Sequence, residues 1–300
     1  MRHHQFQPLE NQTVATEKPT GTDEPFVRYS VADGVGTITL NRAQQLNPIS
    51  HGPNSMQRAI VERLVEADAD DSVGCVVITG SGRAFSSGGD ITAGRKPESG
   101  LDWYWFLNEE DVDNEKIREL RKPVIGAING ICYGAAFMMA AHFDILIASS
   151  EARFGLIETR FGGTGVEALN YLIGPQWAKF MALSGELITA AKAKEIGLVL
   201  EVVAPDSLLP KSHDLARRIA AMPRDTMIMN RRVINYGMNV SGWKAQKDAG
   251  IAFNAATNSC SGEHRAWNGE RFSDLMKQDW KRYKEIRDAP FKEPWFDVDP

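Results

Sequence analysis

A chain of 300 residues that is 43% hydrophobic and 24% charged has the composition of an ordinary globular protein, which excludes disorder, a collagen-like rod and a disulfide scaffold. Its 34 Lys and Arg against 39 Asp and Glu give a net charge of -5, and the basic residues are scattered, so the chain carries no electrostatic footprint for nucleic acid. Cys75, Cys132 and Cys260 lie in unrelated segments without C-x-x-C spacing, which excludes a full set of intrachain disulfides and a cysteine zinc site. No stretch reaches the ~18 uninterrupted apolar residues of a membrane span, and the N-terminus has no apolar signal core. The expectation is a cytoplasmic protein that engages neither membrane nor nucleic acid.

Residues 1–25 are polar, contain prolines and show no apolar period, so they read as a flexible leader. From Phe26 the pattern changes. Residues 37–40 are a strand candidate, Ser50 is a candidate N-cap, and Met56, Ile60 and Leu64 mark one face of a helix after Pro53. The β-branched run at residues 73–79 predicts a buried strand. Residues 90–100 mix glycine, proline and charge without a period and read as a loop; 101–120 read as helix. Residues 123–128 are strand-like and lead to Asn129-Gly130, a small-residue segment at Gly134-Ala135-Ala136, and an apolar helix through Ala141. Residues 144–148 are again strand-like, so the order predicts an α/β core. After Pro205 only helical patterns remain: 208–221, 226–238 and a charged, aromatic stretch over 243–288. A boundary near Met222-Pro223 separates a core of residues 26–222 from a helical region of residues 223–300.

The strand at 73–79 runs into Gly80-Ser81-Gly82, a partial likeness to a dinucleotide-binding G-x-G-x-x-G turn. The third position is Phe85, and the Ser86-Ser87-Gly88-Gly89 that follows is too rich in glycine and serine to open the required helix. What remains is two glycine-rich turns, each after a strand: Phe85 to Asp90 and Asn129 to Ala136. Turns built from small residues can bring two backbone N–H groups to one ligand oxygen. The second turn also starts a helix, whose free N–H groups favour an anion. Two ordinary glycine turns are the alternative at this point.

In sequence order, Gly36-Thr-Ile-Thr-Leu-Asn-Arg42 with Leu46-Asn47 and Ser50, Val76-Val-Ile-Thr-Gly80, and Arg83-Ala-Phe-Ser-Ser-Gly-Gly-Asp-Ile91 resemble the enoyl-CoA hydratase/isomerase (crotonase) family. Lys122-Pro-Val-Ile-Gly-Ala-Ile-Asn-Gly130, Asp144-Ile-Leu-Ile-Ala-Ser149, Ala152-Arg-Phe-Gly155 and Ile196-Gly-Leu-Val199 extend the likeness, which spans residues 27–240. The resemblance implies an α/β fold, a spiral of ββα units with a helical C-terminal region that builds a homotrimer or a dimer of trimers. It implies an acyl-CoA substrate, with CoA entering as part of that substrate and no separate cofactor.

Carried over residue by residue, the family's oxyanion-hole donors fall on the N–H groups of Gly89 and Ala135. Its first catalytic glutamate falls at Met138, a departure, and its second at Glu158, which is kept. A thioether neither activates water nor delivers a proton, whereas one carboxylate suffices to move a proton between two carbons. The resemblance therefore implies an isomerase or hydratase-lyase using Glu158 alone rather than a two-glutamate enoyl-CoA hydratase. Glu167, nine residues on, lies close to where some members place a third acid and is a candidate second acid.

Apolar Leu156, Ile157 and Phe161 flank Glu158; if they line the pocket with Met138, they raise its pKa. Trp103, in the run Trp103-Tyr-Trp-Phe106, is placed to wall the acyl group. The position that is often basic for CoA is Gln45 here, so Arg95 and Lys96 are the candidates for the phosphates. Asp90, Asp144 and His142 read as structural, no histidines have metal-ligand spacing, and the C-terminal aromatics read as buried against the spiral or a neighbouring subunit. The rival reading is a catalytically silent CoA-binding or scaffold protein. Glu158 pointing into one cavity with the N–H groups of Gly89 and Ala135 distinguishes the two.

Overall fold

The chain alternates short β-branched runs with amphipathic helices. The computed structural model describes residues 25–91, 97–164, 169–293 and 295. The leader, apart from Pro25, and Arg95, Lys96 and Glu167 lie outside the described residues. The chain runs through β1 (Val27–Ala32), β2 (Val35–Leu40), α1 (Met56–Ala69), β3 (Cys75–Gly80), β4 (Ala84–Ser86) and α2 (Gly100–Glu119). It continues with β5 (Val124–Ile128), β6 (Ile131–Tyr133), α3 (Ala135–Ala140), β7 (Ile145–Ser149), β8 (Arg153–Gly155) and α4 (Leu169–Ser184). After β9 (Ile188–Thr189), α5 (Ala190–Glu195) and β10 (Glu201–Val203) come α6 (Leu208–Ala220), α7 (Arg224–Val240), α8 (Trp243–Ser259), α9 (Phe272–Gln278) and α10 (Trp280–Asp288).

Two sheets result, one ordered β1-β2-β3-β5-β7-β10 and a smaller one ordered β4-β6-β8-β9. β1 and β2 form an antiparallel hairpin over Asp33-Gly34, both at positive φ, the chemistry that a tight hairpin favours. From β2 onward the large sheet is parallel. Three times a strand of the large sheet turns a corner into a strand of the small one and then enters a helix: β3-β4-α2, β5-β6-α3 and β7-β8-α4. These are the expected ββα units.

The corners are tight enough to dictate glycine. A methyl on Gly80 would meet the Ala84 carbonyl oxygen at 2.2 Å, and one on Gly130 would meet that of Arg83 at 2.1 Å. Asn129 ties neighbouring corners by accepting from the Gly80 N–H at 3.1 Å and donating to the Gly82 oxygen at 2.9 Å. Gly80-Ser-Gly82 is therefore a sheet corner, which is why it only superficially imitates a phosphate-binding turn.

Period-two alternation along β3 sends Val76 and Ile78 into the main core and Cys75 and Val77 into a second layer under α6, with Leu208 and Ala216. Beyond α6, Arg231 of α7 is buried and bonds Asp144 at 2.8 Å and the carbonyls of Ile117 and Arg118 at 2.8 Å. One guanidinium thus anchors the helical region to the end of α2 and the start of β7, and Asp144 is structural as expected.

Two local expectations are corrected, at the α1 N-cap and along residues 243–288. The N-cap of α1 is Ser55, whose hydroxyl accepts from the Arg58 N–H at 3.2 Å, while the Ser50 hydroxyl accepts from the Met56 N–H at 2.9 Å. The stretch 243–288 is broken after α8, and only α9 and α10 resume it. The small sheet escapes a pattern search because most of its strands have two or three residues. The C-terminal aromatics divide: Phe272 and Tyr283 are buried against Phe161 within the chain, whereas Trp267 and Trp295 are exposed.

Candidate active site

The two glycine-rich turns meet. Ile49 bridges to Gly89, donating its N–H to the Gly88 oxygen at 2.8 Å and accepting from the Asp90 N–H at 2.8 Å, a pairing that leaves out the Gly89 N–H. Gly88 has φ of +101°, and a methyl there would come within 2.8 Å of the Tyr133 oxygen, so the first turn lies directly on the second. A methyl on Gly89 would sit 3.9 Å from that of Ala135. Arg42 holds Asp90 at 2.9 Å and fixes the far end of the first turn.

Glu158 sits on a short 3-10 turn, Ile157–Phe161, that follows β8. Gly162 ends the turn in the left-handed region, and the Gly163 N–H returns to the Glu158 oxygen at 2.8 Å. The chain thereby folds around the carboxylate. Its Oε1 accepts from the Ala135 N–H at 3.0 Å, and its Oε2 is buried without a hydrogen-bond partner. Gly134 permits this approach: it has φ of +52°, and a methyl there would lie 1.7 Å from Oε1. Burial pushes the Glu158 carboxyl up from its ordinary range, partly opposed by the N–H bonds it receives, including that of Ala135.

Gly89, Ala135 and Glu158 line one cavity of about 1080 Å³, together with Met138, Phe161 and Trp103. The structure therefore brings together every described residue that sequence reasoning placed at the acyl site. Ile91 and Pro97, which bracket Arg95 and Lys96 in sequence, also line it.

Two residues of this cavity escaped the sequence reading. Glu110 projects from α2, and its Oε1 lies 3.1 Å from His51 Nε2. The signal was helical spacing: Trp103, Phe106 and Glu110 fall at i, i+3 and i+7, one face of α2, so an acid of the run 109–111 shares the face of the aromatic wall. Phe106 meets both Trp103 and His51 edge-on at 5.8 Å. Burial, then the charges of Glu158 and Asp111, push the Glu110 carboxyl up to about 8.

The adjacent acid on α2 has a different fate. Lys247 of α8 pairs with Asp111, with Glu115 Oε1 at 2.8 Å and with His142 Nε2 at 2.8 Å, while His142 Nδ1 donates to the Met138 oxygen at 2.8 Å. Asp111, Glu115 and His142 bring potential ligand atoms within 4.8 Å of one another, yet the Lys247 ammonium already bonds all three. The cluster is an ion-pair network, and His142 is bonded at both nitrogens as a buried structural residue.

Sequence and fold comparisons agree with this geometry. The enoyl-CoA hydratase/isomerase family pattern matches residues 30–294, and the chain belongs to that family, with its crotonase-type α/β fold and helical C-terminal region. A probable enoyl-CoA hydratase of Rhizobium meliloti is 34% identical over 212 residues, covering 69% of this chain and 80% of that protein. The 1,2-epoxyphenylacetyl-CoA isomerase of Escherichia coli is 31% identical over 220 residues, covering 70% and 82%. The crystal structure of an enoyl-CoA hydratase/isomerase from Xanthobacter autotrophicus Py2 superposes with a TM-score of 0.82 at 28% identity, over 89% of this chain and 99% of that one. The chain is thus related to lyases and isomerases alike. Among the described residues, no helix is long and apolar enough to cross a membrane, and all three cysteines are free.

Proposed function

We propose that this protein performs enolate chemistry on an acyl-CoA thioester, with Glu158 as the proton-transfer group and the N–H groups of Gly89 and Ala135 as donors to the thioester oxygen. The observation that carries the reading is the 3.0 Å bond from the Ala135 N–H to a Glu158 oxygen. A backbone donor that holds a carboxylate oxygen is aimed where an anionic oxygen belongs, and the same contact sets the base beside that position. As the thioester α-proton moves to Glu158, charge accumulates on the thioester oxygen, where two preorganised N–H groups offset it by several kcal/mol, on the order seen for oxyanion holes. The raised pKa makes Glu158 a better base once ionised.

Met138 at the first glutamate position supports isomerase or hydratase-lyase chemistry over hydration by the family's own two-glutamate pair. The silent-scaffold reading is disfavoured because Gly89, Ala135 and Glu158 line one cavity and the Ala135 N–H donates to the Glu158 carboxylate. Arg95 and Lys96 are proposed to meet the CoA phosphates, and Glu167 stays a candidate second acid; all three lie outside the described residues. Assembly as a homotrimer or dimer of trimers is proposed as well, supported by the exposed apolar side chains Met229, Val233, Ile234, Tyr236 and Val240 of α7.

Glu158→Gln keeps the shape and loses the basicity. Exchange of acyl-CoA α-protons with solvent deuterium is expected to fall by about 10²-fold or more, with thioester affinity nearly unchanged. Equal exchange rates in wild type and variant would remove Glu158 from the mechanism.

A further inference from the structure

We propose that Glu110, held by His51, is a second catalytic acid, which replaces the carboxyl missing at Met138 and makes the substrate class a β-hydroxyacyl or α,β-enoyl thioester that gains or loses water. The inference rests on Glu158 being the α-carbon base. Its foundation is geometric: Glu110 and Glu158 line one cavity from two different elements, α2 and the turn after β8.

The contacts behind Glu110 orient its imidazole neighbour. The Gln57 amide nitrogen donates to the Glu110 backbone oxygen at 3.0 Å and to Asn114 Oδ1 at 3.3 Å, so its oxygen must face His51 Nδ1. Nδ1 therefore carries a proton, and in the neutral ring Nε2 is the acceptor. Glu110 Oε1 lies 3.1 Å from Nε2, within reach for a protonated carboxyl to donate to it. Burial lowers the His51 pKa and raises that of Glu110, and both directions favour the neutral pair.

Among the charged surroundings, Glu158 and Asp111 oppose ionisation of Glu110, whereas Asp113 and Asp90 raise the His51 pKa against the larger effect of its burial. The cations lining the cavity are otherwise engaged or displaced. Lys247 bonds Asp111 and Glu115, Arg287 bonds Asp288, and Lys284 lies over the Trp280 ring. Glu110 thus has no cationic salt-bridge partner among the described residues.

An acid of this kind suits an oxygen leaving group. In the elimination direction Glu158 takes the α-proton, the Cα–H pair becomes the Cα=Cβ bond, and the Cβ–O bond breaks as Glu110 protonates the departing hydroxyl to water. Glu158 ends protonated and Glu110 ionised; one proton exchanged through solvent resets both, and hydration is the reverse. Hydroxide leaves poorly without that proton, whereas moving a double bond along the chain needs no second acid.

The test uses the full-length protein with crotonyl-CoA and cinnamoyl-CoA for hydration and butyryl-CoA for α-proton exchange in deuterium oxide. Wild type is expected to hydrate at least one enoyl thioester, with kcat/KM falling above pH of about 8 as Glu110 ionises. Glu110→Gln, isosteric with the neutral acid, should lose about 10²-fold or more in hydration and the alkaline limb with it, while exchange through Glu158 stays within about twofold. His51→Gln removes the acceptor of the Glu110 proton and should move that limb to lower pH. Glu110→Gln hydrating as wild type does, or wild type exchanging α-protons while hydrating neither substrate, overturns the role of Glu110. Loss of exchange in Glu110→Gln to the level of Glu158→Gln also overturns it, because the two acids would then not be separable. Absence of exchange in wild type strikes instead at the Glu158 reading beneath it.

Discussion

Glu110 and Asp111 are neighbours in sequence, yet α2 delivers them to opposite electrostatic fates. Asp111 joins Glu115 around the Lys247 ammonium, with His142 as a neutral partner, so charge is compensated and the cluster clamps α2 to α8. Glu110 meets the cavity and an imidazole whose pKa burial lowers, so its charge is poorly compensated and its carboxyl is pushed up to about 8. A step of about 100° around a helix separates a group that holds the fold together from one free to do chemistry. A balanced buried cluster gives rigidity, and an unbalanced one gives a tuned pKa.

The largest expected effect breaks the balanced side. Lys247→Met leaves Asp111 and Glu115 partly buried without their cation, and should cost about 3–5 kcal/mol in chemical denaturation. A loss below 1 kcal/mol would show that the clamp contributes little and that the contrast along α2 is overstated.

The next effect concerns pH. Burial, with the charges of Glu158 and Asp111, pushes the folded Glu110 carboxyl up to about 8 from an ordinary 4.5, so its contribution to stability is fully present below 4.5 and is lost as pH rises through about 8. Wild type should therefore lose stability relative to Glu110→Gln across that window, by an amount on the order of a few kcal/mol. Parallel melting temperatures of the two proteins from pH 5 to 8.5 would place Glu110 at an ordinary pKa.

The smallest effect sharpens the comparison at His51. Gln57→Met removes the oxygen that pins the Nδ1 proton and should cost about 1–2 kcal/mol through the buried donors and acceptors left unmatched. Nitrogen-15 chemical shifts of the imidazole should report one tautomer in wild type and a mixture in the variant. A mixture already in wild type would mean that Gln57 does not set the proton on His51.

Much of the larger architecture was legible because it depends on short-range rules. The β-branched run at residues 73–79 had only one comfortable conformation, and small residues at Gly89 and Ala135 could be read as close backbone approach without knowing to what. Glu158 was found through its place in a family pattern, and the structure adds why its turn is tight: Gly134 leaves room for the carboxylate, Gly163 for the Glu158 Cβ and backbone, and Gly162 for the His264 ring. The second sheet was not legible, since strands of two or three residues carry no period and exist through pairing with distant partners.

By itself the sequence determined the α/β order and the helical tail, which are written in local spacing and residue size, and, through its ordered motifs, the family and the carboxylate beside the second glycine-rich turn. Only the tertiary structure decided that Glu110 and Asp111 line the cavity while Glu109 does not, and which partner each meets. His51 lies 59 residues from Glu110 and Lys247 lies 136 from Asp111, and protonation is set by such neighbours in space. The pKa of a buried group belongs to its surroundings rather than to its residue type, and surroundings are what folding supplies.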